Sequence, residues 1–306
     1  MATRNFMDLY QRRVRRSGNT VACVGLDPDL KRLPEHLRSV EGMAKFCIGI
    51  IDATQDLVCA FKPNIAFFDA CGSHGREQLK HVMDYARQVV PDVPVILDAK
   101  RGDIGNTNAA YVQEAFDYFG ADAITVAPYL GVEAMQPFLD ERDKGVFVLC
   151  RTSNKGSGEF QELSVDTTSI PFKDIDSNLM IPRHIPLFQY VALRVSMRTG
   201  GWNAHGNCGL VVGATYPQDL AKVRELVGDD MPLLLPGFGK QGGEVQAAVM
   251  AGRNRSGGGI IANASSSIIF ASSGDDYKDA ARIAATAFRD ELNQYRFTHP
   301  EPLGGK

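Results

Sequence analysis

Several residue types are scarce in this chain, and each scarcity removes a class of function. Its 306 residues include one tryptophan, six histidines and six cysteines. No two histidines stand at HxxxH spacing, so no histidine-based metal site is expected. The cysteines form no CxxC pair, and Cys23, Cys59, Cys150 and Cys208 fall in apolar runs that read as strands. That placement fits buried, reduced thiols better than disulfides or zinc. Basic residues are not in excess: the formal net charge is -3, which gives no general attraction to polyanions and makes nucleic acid an unexpected partner. No apolar stretch approaches the roughly 18 residues that a membrane span requires. Arg12, Arg13, Arg15 and Arg16 are followed by no apolar segment of the kind a secretory signal carries. A cytoplasmic protein without a membrane partner is expected.

What is present is an alternation. Short apolar, β-branched runs recur at Val21–Leu26, Leu57–Phe61, Val93–Leu97, Ala123–Ala127, Gly145–Cys150, Cys208–Gly213, Pro232–Leu235 and Gly258–Ala262. Amphipathic segments lie between and after them, at about Met43–Gln55, Glu77–Val90, Thr107–Phe119, Val132–Asp140, Ile185–Thr199, Gln218–Val227, Gly243–Ala251 and Asp275–Tyr295. Near-continuous apolar strands separated by helices predict a parallel sheet covered on both faces. Eight such units without a Pro-, Gly- or Ser-rich linker predict a single (β/α)8 TIM barrel over residues 1–306 rather than an open doubly wound sheet. The longest irregular segment, Asn154–Arg183, reads as a lid or a surface insertion.

Barrel enzymes work at the C-terminal ends of their strands. The polar residues there are Asp27, Lys62 with Asn64, Asp98 with Lys100 and Asp103, Ser153, and the loop Pro236–Gly243. Asp98 and Lys100 are two apart in an extended segment, so both side chains can leave the same face. Two lysines and two aspartates balance each other without a metal; a salt-bridge network stiffening the rim is the plainer alternative. The Pro236 loop opens a helix, and its glycines let backbone N–H groups approach an anion. Gly237, Gly239 and Gly242 also satisfy G-x-G-x-x-G, but a dinucleotide site wants an acidic residue about 20 positions on. Ala262, Asn263 and Ala264 stand there instead. A glycine-rich connection that binds nothing stays open as well.

The run Leu97-Asp98-Ala99-Lys100-Arg101-Gly102-Asp103-Ile104-Gly105-Asn106-Thr107 resembles the D-x-K-x-x-D-I signature of the orotidine 5′-phosphate decarboxylase family. In the same order, Val24-Gly25-Leu26-Asp27, Phe61-Lys62-Pro63-Asn64, Cys150-Arg151-Thr152-Ser153-Asn154, Val212-Gly213-Ala214-Thr215 and the Pro236 loop resemble its longer bacterial branch. The likeness runs from about Phe6 to the final helix. It implies decarboxylation of orotidine 5′-phosphate to UMP without cofactor or metal, in a homodimer. Lys62, Asp98 and Lys100 would come from one subunit, with Asp103 and Thr107 from the other. Asp27 and Lys62 would hold the ribose, Ser153 the pyrimidine, and Pro236, Gly239 and Gln241 the phosphate.

One position departs from the pattern. The family's last strand ends in a motif whose arginine binds phosphate, and here Ser266 aligns with it. Losing a charge-assisted contact costs about 1.5–3 kcal/mol. Lys240 is the expected substitute; Arg253 and Arg255 precede the last strand and belong at the opposite barrel end. Rival readings are a Mg2+-dependent sugar-phosphate decarboxylase or epimerase, a Schiff-base aldolase using Lys62 or Lys100, and a nucleotide-binding protein without activity.

Overall fold

The computed structural model describes residues 4–17, 19–168, 181–239 and 243–297. Among these, ten strands occur in chain order: β1 (Ala22–Leu26), β2 (Ala60–Pro63), β3 (Ile96–Arg101), β4 (Ala123–Val126), β5 (Gly145–Arg151), β6 (Ser164–Asp166), β7 (His184–Pro186), β8 (Cys208–Val212), β9 (Leu233–Pro236) and β10 (Ile260–Ala264). Eight of them form one parallel sheet in the order β2-β1-β10-β9-β8-β5-β4-β3. Parallel bridges Phe61↔Val95 and Asn64↔Asp98 join its two edges. The result is the (β/α)8 barrel that the alternation predicts.

Apolar content on both faces of a strand is what permits this closure, since helices cover the outside and side chains fill the inside. β1, β4, β8 and β10 are buried at every position. The barrel floor is closed by the helix Phe6–Arg12, which starts where Asn5 accepts a hydrogen bond from the Asp8 N–H at 3.1 Å. Phe6 packs edge-on against Phe147 with ring centroids 5.5 Å apart. Gly145 allows the approach, because a Cβ there would lie 2.6 Å from the Phe6 ring. Nearby, Arg224 donates to the carbonyls of Gly228, Met231, Gly252 and Gly259 at 2.6–2.9 Å. The carbonyls of Gly228, Met231 and Gly252 lie outside the strand ladders and find their donor here, while the Gly259 carbonyl also accepts from the Leu233 N–H at 2.9 Å.

The second strand begins later than the β-branched pattern indicates. Leu57 to Cys59 form an approach segment held by other donors: Thr20 Oγ1 bonds the Leu57 carbonyl at 3.0 Å, and Arg13 Nε the Val58 carbonyl at 2.9 Å. Lys62 therefore lies inside β2, paired with Gly25 of β1. The segment expected to be irregular after β5 contains secondary structure, a short helix at Gly158–Gln161 and the antiparallel pair β6–β7 with Val165 opposite Ile185. Its base is tied down by Arg151, 3% exposed, which reaches Ser157 Oγ at 2.7 Å, Asp219 Oδ2 at 2.8 Å and Glu162 Oε1.

Candidate active site

The site is built around an irregularity in β3. Its pairing with β4 runs Ile96↔Ala123 and Leu97↔Ile124, then resumes at Arg101↔Val126. Asp98, Ala99 and Lys100 thus stand opposite Thr125 alone. A bulge of this kind re-aims side chains, and Lys100 takes a left-handed backbone conformation with φ +46°. Such a conformation is costly for any residue with a Cβ and concentrates at functional positions. Regular strand alternation is consequently not what brings Asp98 and Lys100 together; the bulge is.

Thr125 holds the bulge in place. Its Oγ1 accepts the N–H groups of Ala99 at 3.1 Å and Lys100 at 3.0 Å, and donates to Asp98 Oδ1 at 2.9 Å. One hydroxyl has one donor and two acceptor sites, so the group is saturated. Asp98 also accepts from Lys100 Nζ at 2.6 Å on Oδ1 and from Lys62 Nζ at 2.9 Å on Oδ2. Lys62 and Asp98 are buried, whereas half of the Lys100 side chain is open to the barrel mouth.

Charge alternation makes this burial tolerable. Desolvation opposes the Lys62 ammonium, but Asp98 and Asp27 outweigh it and hold its pKa above the ordinary lysine range. Desolvation likewise opposes the Asp98 carboxylate, but Lys62 and Lys100 hold it well below the ordinary carboxylate range. Asp27, at the end of β1, keeps its Oδ1 buried without a hydrogen-bond partner among the described residues. An orphan buried acceptor is costly, and a ligand hydroxyl would satisfy it.

Ser153 follows β5 and lies between two glycines at neighbouring strand ends. A Cβ on Gly213 would sit 2.8 Å from Ser153 Cα, and one on Gly237 would sit 3.5 Å from Ser153 Cβ. Pro236 ends β9, its carbonyl accepting from the Ala214 N–H at 2.9 Å. Gly237 turns the chain with φ +105°, and nothing lies within 4 Å of a Cβ on Gly239. Lys240 and Gln241 lie outside the described residues. Ser266 opens a short helix after β10 and accepts a hydrogen bond from Arg32 Nη1 at 2.6 Å.

Asp103 and Thr107 stand apart from this group. Asp103 Oδ1 accepts from the Ile104 N–H at 2.7 Å, and its backbone is clasped by Asn108, which bonds the Asp103 N–H at 3.0 Å. Neither residue is hydrogen-bonded to Lys62, Asp98 or Lys100 of the same chain. Thr125 and Arg32 escaped the sequence reading. Thr125 had a signal, as the lone hydroxyl in an otherwise apolar strand; Arg32 had none. A cleft of about 900 Å3 at the opposite barrel end is lined by Arg224, Arg253, Arg255 and Arg296. We assign no chemistry to it, since the Arg224 and Arg296 guanidinium groups already serve backbone carbonyls.

Fold and site together define a (β/α)8-barrel enzyme that keeps alternating ammonium and carboxylate groups at its strand ends. The chain belongs to the orotidine 5′-phosphate decarboxylase / HUMPS family, whose model matches residues 20–283. It is 49% identical over 279 residues to the orotidine 5′-phosphate decarboxylase of Ralstonia pickettii, covering 91% of this chain and 94% of that one. The enzyme of the same name from a Janthinobacterium is 46% identical over 280 residues, covering 91% and 95%. Among solved structures, the Leishmania donovani OMP decarboxylase superposes with a TM-score of 0.78 at 35% identity, covering 96% of this chain and 100% of that one.

Proposed function

We propose that this protein is a carboxy-lyase that converts orotidine 5′-phosphate to UMP and CO2, the last step of de novo pyrimidine nucleotide synthesis, in the cytoplasm. The observation that carries the reading is the chain Lys62–Asp98–Lys100, with contacts of 2.9 and 2.6 Å fixed by the β3 bulge.

Breaking the bond from pyrimidine C6 to the carboxylate leaves its electron pair in an sp2 orbital that the ring delocalises poorly. The barrier is therefore electrostatic, and a positive group held beside C6 lowers it. Lysine is an ammonium at neutral pH. Lys100 stands in that place, faces the developing carbanion, and donates the proton that replaces CO2. Asp98 fixes the direction of that ammonium and stands against the departing carboxylate. The same charge pattern disfavours a Schiff base at Lys62, because an ammonium held charged by two carboxylates has no lone pair to attack a carbonyl.

Asp27 and Lys62 hold the ribose, Ser153 the base, and the loop with Pro236, Gly239 and Gln241 the phosphate. Residues 154–183, of which 169–180 lie outside the described residues, form a lid-like insertion within a single domain. The active unit is a homodimer in which Asp103 and Thr107 complete the neighbouring site. Supporting this, Ile104, Tyr129, Leu130 and Val132, beyond the ends of β3 and β4, are 58, 89, 45 and 37% exposed, the apolar character an interface would cover.

A continuous ultraviolet assay with orotidine 5′-phosphate tests the reading, run with EDTA and beside Lys100→Ala. Decarboxylation that persists in EDTA and falls at least 10^3-fold in the variant is expected. UMP binding without turnover would overturn it in favour of a non-catalytic role, and loss of activity in EDTA would favour the metal-dependent rival.

A further inference from the structure

β10 is followed by serines, Ser265, Ser266 and Ser267, on the rim beside the end of β9; the two strands pair in register with Asn263 opposite Pro236. A guanidinium arrives there from another part of the chain. Arg32, in the loop after β1, donates from Nη1 to Ser266 Oγ at 2.6 Å. Its Cζ lies 4.1 Å from the centroid of Phe270, a ring that is itself stacked on Phe46 at 5.5 Å. The loop is firm at its base: Asp29 Oδ1 accepts from the Lys31 N–H at 3.0 Å, its carbonyl accepts from the Arg32 N–H at 2.9 Å, and Leu33 is fully buried.

This arginine differs in its partners from the others near strand ends. Arg151 is bonded to Asp219 and Glu162, and Arg101 to Glu114. Arg32 rests on an aromatic face and a neutral hydroxyl, and among the described residues no carboxylate pairs with it. A guanidinium has five N–H donors in one plane, arranged to take two oxygens of a phosphate at once. Only one is engaged by Ser266. Aromatic stacking and the serine tether orient the remainder while leaving the head exposed.

We infer that Arg32 is the cation that grips the substrate's phosphate dianion, with Ser266 acting as its tether. The inference rests on the reading that the substrate is a nucleoside monophosphate. Arg32→Ala should lower kcat/KM for orotidine 5′-phosphate by roughly ten- to hundredfold. By calorimetry the variant should lose affinity for UMP to a similar extent while binding uridine, which lacks the phosphate, as the parent does. Arg32→Ala/Ser266→Arg should recover most of the loss, because a guanidinium carried on residue 266 would face the same place.

Unchanged kcat/KM and UMP affinity in Arg32→Ala would overturn the inference while leaving the decarboxylase reading intact. Equal losses for UMP and uridine would overturn it too, by making Arg32 a support of the whole pocket. If the parent protein fails to turn over orotidine 5′-phosphate, the catalytic reading falls, and the contrast between UMP and uridine still decides the role of Arg32.

Discussion

The hydroxyl of Thr125 donates to the carboxylate of Asp98 at 2.9 Å and is the third point of a small clamp whose other two points are the N–H groups of Ala99 and Lys100. A side chain that never needs to touch substrate thus fixes both the acid and the ammonium beside it. Thr125→Val keeps the shape and removes all three bonds, leaving two backbone donors without an acceptor. The expected cost is about 1–3 kcal/mol in urea unfolding. We expect kcat to fall by about 10^2-fold, the scale of a 1 Å misplacement of a reacting group, with KM changed far less. Thr125→Ser should restore both quantities, and a fully active Thr125→Val would show that the clamp is dispensable.

The Lys62–Asp98 contact predicts a definite pH profile of stability. Asp98 is held below its unfolded value of about 3.9, so its contribution is present above that pH and is lost as the solution is acidified through the folded value. Lys62 is held above its unfolded value of about 10.4, so its contribution is complete below that pH and is lost as pH rises through the folded value. The cluster is therefore at full strength between about pH 4 and 10. Asp98→Asn leaves two ammonium groups facing each other, one of them buried, and should destabilise by about 3–5 kcal/mol in that window. Thermal melts of both proteins from pH 3 to 11 should show the deficit shrinking at each end; a deficit independent of pH would contradict the electrostatic account.

Much of the barrel was legible because its cause is local. Eight apolar runs with helices between them admit few arrangements, and each run lies on or beside a strand of the sheet. The strand-end lysines and aspartates were legible for the same reason, since the ends of strands can be read once the strands are found. The bulge was not: nothing in Asp98-Ala99-Lys100 announces that three residues will stand opposite Thr125, because this depends on which strand becomes the neighbour. Arg32 was hidden more deeply. Its meeting with Ser266 joins positions 234 residues apart, a contact that no local pattern encodes. The β6–β7 pair was missed because its strands are three residues each, too short for alternation to show.

The proposal that two subunits share each site leads to a complementation experiment. Lys100→Ala and Asp103→Asn should each abolish turnover in their own homodimers. If Asp103 serves the neighbouring pocket, a mixed dimer has one site bearing both lesions and one bearing neither. Random mixing makes half the dimers mixed, so about a quarter of the parent activity should return on co-refolding. No recovery would place Asp103 in its own chain's site and remove the argument for a shared one.

The backbone at Lys100 sets folding and chemistry against each other at a single residue. In a left-handed position glycine carries no steric burden, whereas alanine does, so the usual order of the two is reversed. Lys100→Gly should melt above Lys100→Ala, by about 1 kcal/mol in free energy, although both lack the ammonium. The reverse order would mean that the φ of +46° is not a strained state. Among replacements that give up the ammonium and its 2.6 Å contact with Asp98, a screen for thermal resistance alone would accordingly favour glycine over alanine at this position.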